Sequence, residues 1–257
     1  MSLDDLVQDA IPVNQPYAGL GAEAYDVWMP PSGDDPDVEM YRRWIERGAG
    51  PALELGCGNG RLLVGYAREG LDVEGVDSSA DMLAICAVHG HEAGLDLTLH
   101  HADWLALDLG RTYATIYNPA GSFALIDSDE DAHTALTAWL RHLRPGGRVF
   151  VEMGVPTADL DAQYEWRVRR SGTRPSDGIT FMVHEALRID ADAQTVHVLN
   201  RHELWSASGE LITTYVRRHR LRWWTREQFE SMFRTCGYVD VRSHGGSDGF
   251  ITEGHSA

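Results

Sequence analysis

The chain has 257 residues, 43% of them hydrophobic, which is enough to bury one substantial core. Its formal charge of −17 at pH 7 argues against a nucleic-acid partner, because binding a polyanion requires a basic surface that releases counterions. A small-molecule ligand is favoured instead.

No apolar run approaches the ~20 residues that a membrane span needs, and the N-terminus lacks the basic and apolar regions of a signal peptide. We therefore expect a soluble, cytoplasmic protein that makes no membrane contact. The three cysteines, Cys57, Cys86 and Cys236, show neither C-x-x-C nor histidine-paired spacing, so no metal site is predicted.

The first 35 residues are polar and interrupted by proline and glycine, but they contain Tyr17, Tyr25 and Trp28. Asp35-Pro36 then offers a helix start with proline at the first helical position, and this predicts a helix over 38–47. The segment before that helix holds too few periodic apolar positions to form a core of its own.

Five apolar runs predict strands that are buried on both faces of a sheet, and helical patterns lie between several of them. The strand runs are 51–55, 71–76, 95–99, 112–117 and 148–153, and the helical patterns are 60–69, 79–89 and 129–143. This alternation predicts an α/β fold with a doubly wound, mostly parallel, Rossmann-like sheet that binds ligands at the carboxyl ends of its strands.

Residues 164–224 do not continue the alternation of strand and helix patterns. Three segments rich in β-branched and aromatic residues, 180–189, 195–205 and 211–224, are separated by turn sequences and predict an antiparallel β-meander insertion of three strands. This region holds ten Arg against seven acidic residues, so its charge is +3 and the remainder of the chain carries −20. The positive balance is consistent with contact to an anionic group, or with salt bridges to an acidic subunit or domain.

Residues 51–60 read Pro-Ala-Leu-Glu-Leu-Gly-Cys-Gly-Asn-Gly, and the next apolar run ends in Asp77. A strand, a glycine loop that opens a helix, a second strand and a carboxylate at its tip together predict an adenosine site. The nicotinamide fingerprint is G-x-G-x-x-G with an acid about 20 residues further on. Here the second and third glycines are separated by one residue instead of two, which disfavours a nicotinamide oxidoreductase.

The pattern E-x-G-x-G-x-G followed by G-V-D-x-S-x-x-M-L resembles the class I S-adenosylmethionine-dependent methyltransferases of the small-molecule type. Later segments are similar to that family's third-strand motif, its fourth strand with the active-site loop, its fifth strand, and its last helix and hairpin strand. These segments are 101–104, 113–123, 140–152 and 224–242, so the resemblance covers roughly residues 17–252. It implies a seven-stranded sheet and S-adenosylmethionine as the cofactor.

The resemblance also implies roles for individual residues. The glycines would face the methionyl part of the cofactor, Glu54 its ammonium group, Asp77 the ribose hydroxyls and Asp103 the adenine amino group. Met82 is expected on the adenine face unless it is only a core residue, and Asp103 has a second reading as a helix N-cap. The cofactor-binding set is Tyr25, Glu54, Gly56, Gly58, Gly60, Asp77, Ser78, Met82, Ala102, Asp103, Trp104 and Asn118.

Methyl transfer to an N or O atom of a small-molecule acceptor, such as a natural product or sugar, is the expected reaction. Positioning the acceptor in a water-poor aromatic site supplies most of the catalysis of such an in-line displacement. Candidate catalytic residues are Tyr17, Tyr25 and His184, and no general base is identified. Because of that, a cofactor-binding protein that does not methylate, such as a repurposed cyclase or a subunit supporting a partner, stays an alternative.

Four regions follow from these patterns. They are an N-terminal lid segment (1–35), a cofactor-binding α/β domain (36–155), the antiparallel insertion (164–224), and the final helix and strands that complete the α/β domain (225–257). The insertion is expected either to cover the acceptor pocket or to form a homodimer interface, and the sequence leaves both open.

Overall fold

The computed structural model describes residues 17–31, 35–156 and 165–257. The chain divides into two compact units. Of the described residues, 17–30 and 165–222 form the small unit, and 31, 35–156 and 223–257 form the large unit. Residues 1–16, which make up much of the predicted lid segment, lie outside the described residues, so the lid and the four region boundaries stay predictions.

The described residues form six α-helices and eleven strands. The helices are α1 Leu20–Trp28, α2 Val38–Gly48, α3 Leu63–Arg68, α4 Ala80–Glu92, α5 Asp129–Arg141 and α6 Arg226–Thr235. The strands are β1 Ala52–Leu55, β2 Val73–Asp77, β3 Thr98–His101, β4 Tyr113–Asn118, β5 Leu143–Gly154, β6 Arg167–Thr173, β7 Thr180–Asp190, β8 Thr195–Trp205, β9 Leu211–Arg222, β10 Val239–Gly245 and β11 Gly249–His255. None of these helices is both long and apolar enough to cross a membrane.

The large unit is built on a seven-stranded sheet in the order β10-β11-β5-β4-β1-β2-β3. Strands β1 to β5 are parallel, whereas β11 runs antiparallel to β5 and β10 antiparallel to β11. The predicted α/β fold with a mostly parallel seven-stranded sheet is therefore confirmed. The strand order reverses between β1 and β4, which opens a crevice at their carboxyl ends.

Both faces of the large sheet are covered, which explains why its central strands read as continuous apolar runs. Every residue of β1 and β4 is buried. On one face, Trp139 of α5 packs edge-on against Phe123, which also contacts Phe229 of α6. On the other face, the cluster includes Tyr41 of α2 and Tyr66 of α3.

The small unit is a four-stranded antiparallel sheet in the order β6-β7-β8-β9, whereas the sequence predicted three strands. The three predicted strands lie where expected, and β9 ends two residues early. Strand β6 was missed because its residues are mostly exposed and rich in arginine, so it shows no apolar alternation. Helix α1, also not predicted, packs Ala24 against Phe181 and Leu204 of this sheet.

We expect Gly75→Ala to destabilise the large unit. A Cβ at Gly75 in β2 would lie 2.7 Å from the Cys57 Sγ and 2.8 Å from the Leu63 Cδ2, so the loop and α3 would have to move. The free energy of unfolding should fall by about 1–3 kcal/mol in urea denaturation, the usual cost of overpacking.

Gly65→Ala is the matched control, because a Cβ at that position in α3 meets nothing within 4 Å. Alanine in a helix interior should leave the stability unchanged or raise it by up to about 1 kcal/mol. Equal unfolding midpoints for both variants would mean that β2 and the loop after β1 do not approach this closely.

Candidate cofactor site

The loop between β1 and α3 is held open to a ligand by its three glycines. Gly56, Gly58 and Gly60 have φ values of 75°, 55° and 85°, a region that side-chain-bearing residues rarely adopt. The amides of Gly56 and Cys57 both donate to the Val76 carbonyl, at 2.8 and 3.0 Å, and so fix the loop on the neighbouring strand β2. The loop backbone therefore lies at the carboxyl ends of β1 and β2.

Asp77 at the tip of β2 holds the same loop by its side chain. Its Oδ2 accepts a hydrogen bond from the Gly58 amide at 2.8 Å, and its Oδ1 accepts one from the Ser79 amide at 2.8 Å. Each carboxylate oxygen has two acceptor positions, so this pair of bonds leaves room for two hydroxyl donors. Burial raises the pKa of Asp77, while the backbone donors of Ser79 and Gly58 oppose the rise.

The tips of β2 and β3 are joined next to this carboxylate. The Ser78 carbonyl accepts a hydrogen bond from the His101 Nε2 at 3.0 Å, and the Ala102 amide donates to the Asp77 carbonyl at 3.2 Å. Ser78 and Ala102 thus lie beside Asp77, where the resemblance places the nucleoside of the cofactor.

Met82 and Asp103 both show the local contacts that an ordinary structural role requires. Met82 in α4 is 3% exposed, and its Cε lies 3.0 Å from where a Cβ of Gly58 would be. Asp103 caps the short 3₁₀ helix Trp104–Ala106, since its Oδ1 accepts from the Leu105 amide at 2.9 Å. Their contacts to adenine stay predictions, although both residues lie on segments next to the glycine loop.

Trp104 forms a wall of the crevice. A Cβ at Gly56 would lie 2.9 Å from its Cζ2 atom, and its ring meets Trp139 edge-on with centroids 6.0 Å apart. The indole Nε1 is buried and has no hydrogen-bond partner among residues 17–31, 35–156 and 165–257.

A buried carboxylate, Glu54, lies on β1 two residues before the first glycine. It is 2% exposed and accepts a hydrogen bond from the Tyr117 hydroxyl at 3.0 Å. Burial raises the pKa of Glu54 to about 8, against the opposing influence of the Tyr117 hydrogen bond and the positive charge of Arg61. A bound positive group would stabilise its ionised form, which fits the ammonium contact that the resemblance implies.

The loop after β4 is fixed from two strands. The Asn118 side-chain amide donates to the Leu55 carbonyl at 2.8 Å and to the Ser122 hydroxyl at 2.9 Å. Its Oδ1 is buried without a hydrogen-bond partner in the described part of the chain. Unpaired buried polar atoms are uncommon in proteins, so the Asn118 Oδ1 and the Trp104 Nε1 indicate a polar ligand in this crevice.

Sequence reasoning gave no role to two tyrosines here. Tyr41 of α2 donates through its hydroxyl to the Glu152 Oε2 at 3.0 Å, and the same oxygen accepts from the Ala120 amide at 2.9 Å. Tyr117 donates to Glu54 in the same way. For Tyr117 the one local signal was its place in a buried strand, since a buried hydroxyl needs a partner.

The candidate catalytic residues Tyr17, Tyr25 and His184 belong to the small unit. The rings of Tyr17 and Tyr25 meet edge-on with centroids 5.5 Å apart. The His184 Nε2 lies 3.5 Å from the Glu203 Oε2 across β7 and β8. Their part in the site, including cofactor contact by Tyr25, stays a prediction.

No group of three or more His, Cys, Asp or Glu residues that could hold a metal ion occurs within the described ranges. The polar groups described at the crevice are instead backbone amides, the Asp77 carboxylate and buried tyrosine hydroxyls. Fold and site together define an α/β protein that holds an adenosyl cofactor at the switch point of its sheet.

Comparisons with known proteins agree with this class. Residues 52–147 match the family model described as a methyltransferase domain. The dTDP-3-amino-3,6-dideoxy-alpha-D-glucopyranose N,N-dimethyltransferase of Streptomyces fradiae is 28% identical over 238 residues, which cover 91% of this chain and 89% of that protein. A ubiquinone biosynthesis O-methyltransferase of Aromatoleum aromaticum is 32% identical over 111 residues, covering 42% of this chain and 47% of that protein.

Among solved structures, DesVI of Streptomyces venezuelae superposes with a TM-score of 0.75 at 21% identity, covering 92% of this chain and 98% of that one. At that identity the likeness shows the fold. The domain match and the relative of 28% identity support the same assignment, a class I S-adenosylmethionine-dependent methyltransferase. S-adenosylmethionine is its cofactor.

We expect Asp77→Ala to lose most of the cofactor affinity. Two hydrogen bonds to a charged acceptor at ~1.5–2 kcal/mol each would cost about 3–4 kcal/mol, or roughly 150- to 1000-fold in Kd by calorimetry with S-adenosylmethionine. Asp96→Ala, which removes an exposed carboxylate between α4 and β3, is the control. Parent-like binding by Asp77→Ala would show that the ribose is held elsewhere.

We also expect cofactor binding to release a proton from Glu54. Because its pKa is about 8 in the free protein, the carboxyl is largely protonated near neutral pH, and an adjacent ammonium group favours the ionised form. The Kd for S-adenosylmethionine should therefore fall as the pH rises from about 6 to about 8, by up to about tenfold per unit.

Calorimetry in two buffers of different ionisation enthalpy measures this proton release directly. Glu54→Gln keeps the shape of the side chain but cannot ionise, so its proton release and its pH dependence should be lost. The same number of protons released by parent and variant would assign the linkage to another group.

Proposed function

We propose that this methyltransferase transfers methyl groups to the amino group of a deoxy amino sugar carried on a nucleoside diphosphate. The observation that carries the proposal is the extent of the alignment to the Streptomyces fradiae N,N-dimethyltransferase, which spans 91% of this chain. Such coverage must include most of the insertion between β5 and α6 as well as the cofactor domain. Cofactor-site similarity alone would not extend so far.

The distribution of charge supports an anionic acceptor. The chain carries −17 overall, yet residues 164–224 hold ten Arg and seven acidic residues. A negatively charged diphosphate is repelled by most of an acidic protein and attracted to a locally basic region, which steers its approach. This region would then contact the nucleotide part of the acceptor.

An amine acceptor also fits the side chains at the crevice. S-adenosylmethionine supplies an electrophilic methyl group on a positively charged sulfur, and a neutral amine attacks it with its own lone pair. A hydroxyl acceptor needs a general base in most such reactions, whereas a neutral amine does not. Glu152, the carboxylate at the tip of β5, accepts from the Tyr41 hydroxyl and the Ala120 amide through its Oε2, and this oxygen holds the loop after β4.

Methylation of a hydroxyl is the second candidate. The ubiquinone biosynthesis O-methyltransferase is more similar locally, at 32% identity, but its alignment covers 42% of this chain. An alignment of that length can reflect a shared cofactor domain with a different acceptor region. A homodimer through the insertion and a cytoplasmic location stay predictions.

We expect the full chain to convert dTDP-3-amino-3,6-dideoxy-α-D-glucose into products carrying one and two added methyl groups. The assay contains EDTA, because the sequence predicts no metal requirement, and it follows S-adenosylhomocysteine together with the product mass. The matched control is the same nucleotide sugar with a hydroxyl in place of the amino group, which should not react. Methylation of the hydroxyl sugar in preference to the amino sugar would replace the proposal with O-methylation.

A further inference from the structure

One face of the small-unit sheet contains a group of polar side chains that nothing described above uses. In the β8–β9 ladder, His202 lies opposite Tyr215 and Val198 lies opposite His219. Residues two apart on a strand point to the same face, and directly opposite residues share a face. Asn200, His202, Tyr215 and His219 therefore lie side by side, and we call them the polar patch.

Two members of the polar patch, His202 and Tyr215, are in direct contact. The rings of His202 and Tyr215 stack with centroids 4.7 Å apart and planes 2° from parallel. Tyr215 also borders the apolar contact of α1 with this face, next to Phe181 and Leu204. The patch thus continues an apolar surface instead of lying at a solvated edge.

Each member has a buried polar atom that lacks a hydrogen-bond partner in the described part of the protein. These atoms are the Asn200 Oδ1, the His202 Nδ1, the Tyr215 hydroxyl and the His219 Nδ1. The His202 side chain is among the most buried polar groups of the unit, with 6% of the residue exposed. Four such atoms on adjacent positions are unusual, because most buried polar groups in proteins are paired.

Folding alone does not explain this arrangement. Leaving a buried polar group unpaired costs about 1–3 kcal/mol, whereas an apolar residue of similar shape avoids that cost. The same face has valines at neighbouring positions, Val183, Val196 and Val198, so apolar residues are accommodated there. Buried polar atoms without a partner in the protein are expected where the protein binds a ligand.

The chemistry of the patch selects a class of ligand. Burial lowers the pKa of both His202 and His219 to about 4, so near neutral pH each ring is uncharged and offers one N–H and one lone pair. An amide oxygen and a phenol hydroxyl complete a set of neutral donors and acceptors around an aromatic face. Hydroxyl groups on a saturated ring match this set, since each can both donate and accept.

Arg217 lies beside the polar patch and is consistent with an acceptor that also has an anionic part. Arg217 lies opposite Asn200 in the ladder, and its guanidinium carbon is 5.3 Å from the centroid of the Tyr215 ring. One of its nitrogens donates to the Ala18 carbonyl at 2.7 Å, which fixes the guanidinium next to the patch. A cation in this position favours a ligand in which a neutral ring is joined to an anionic group.

We propose that the polar patch binds the hydroxyl-bearing sugar ring of the methyl acceptor by hydrogen bonds to Asn200, His202, Tyr215 and His219. The inference deepens the proposed function and rests on it in one respect, that the acceptor is a sugar. Binding supplies the partners that the four buried atoms lack within the protein. The patch then sets acceptor specificity and has no part in holding the cofactor.

Two variants remove hydrogen-bonding atoms while keeping shape, Asn200→Leu and Tyr215→Phe. Thr214→Val, which removes a hydroxyl from the opposite face of β9, is the matched control. The two patch variants should raise the KM for dTDP-3-amino-3,6-dideoxy-α-D-glucose by about 2- to 12-fold, the loss of one net hydrogen bond, and leave the Kd for S-adenosylmethionine unchanged. Their Tm should rise by about 2–4 °C, because an unpaired buried polar atom has been removed.

The rise in Tm separates binding from a structural role. A lower Tm in both variants would mean that these atoms stabilise the fold, and the patch would not be an acceptor site. Parent-like KM values in variants of an enzyme that methylates the amino sugar would also refute the patch, while leaving the proposed function intact.

Nuclear magnetic resonance of the histidine rings gives a readout independent of turnover, with dTDP-glucose as the probe. The His202 and His219 signals, assigned with His219→Gln, should shift on titration in the parent and in Thr214→Val, and less in Asn200→Leu. Such shifts in a protein that does not methylate the amino sugar would overturn the proposed function and support the patch. Unshifted signals together with absent turnover would overturn both.

Discussion

The hydrogen bond from the Gly58 amide to the Asp77 carboxylate joins the loop after β1 to the tip of β2, across 19 residues of sequence. It forms because Gly58 adopts a φ of 55° and can turn its amide toward the neighbouring strand. The same carboxylate also accepts from the Ser79 amide at the start of α4. One side chain therefore fixes a strand tip, a loop and a helix start, and the candidate cofactor site is built on that geometry.

Close approach between backbone segments is the second part of this constraint. Side chains at Gly56, Gly60 or Gly75 would collide with Trp104, Cys86 or Cys57, at distances under 3.0 Å. The loop can lie this deep in the crevice because these positions have no Cβ. Such a buried position suits a reaction in which a positive sulfur becomes neutral, since a water-poor site favours the displacement.

Burial sets the charge state of groups in both units. In the large unit it raises the pKa of Glu54 to about 8, because ionising a buried carboxyl is costly. A positively charged ligand next to Glu54 would lower that cost. In the small unit burial lowers the pKa of His202 to about 4 and keeps the ring neutral. The same physical effect thus suits one site to a cation and the other to uncharged hydroxyl groups.

The sequence by itself determined the parallel sheet, the glycine loop, Asp77 at a strand tip and the resemblance to methyltransferases, because each depends on local periodicity or on residues close in the chain. Only the tertiary structure decided the Tyr41–Glu152 bond across 111 residues, the fourth strand β6 and the pairing of His202 with Tyr215. These contacts depend on strand register and on how distant segments pack. A one-residue shift in register would move the polar patch to the other face of its sheet, and no local pattern specifies that choice.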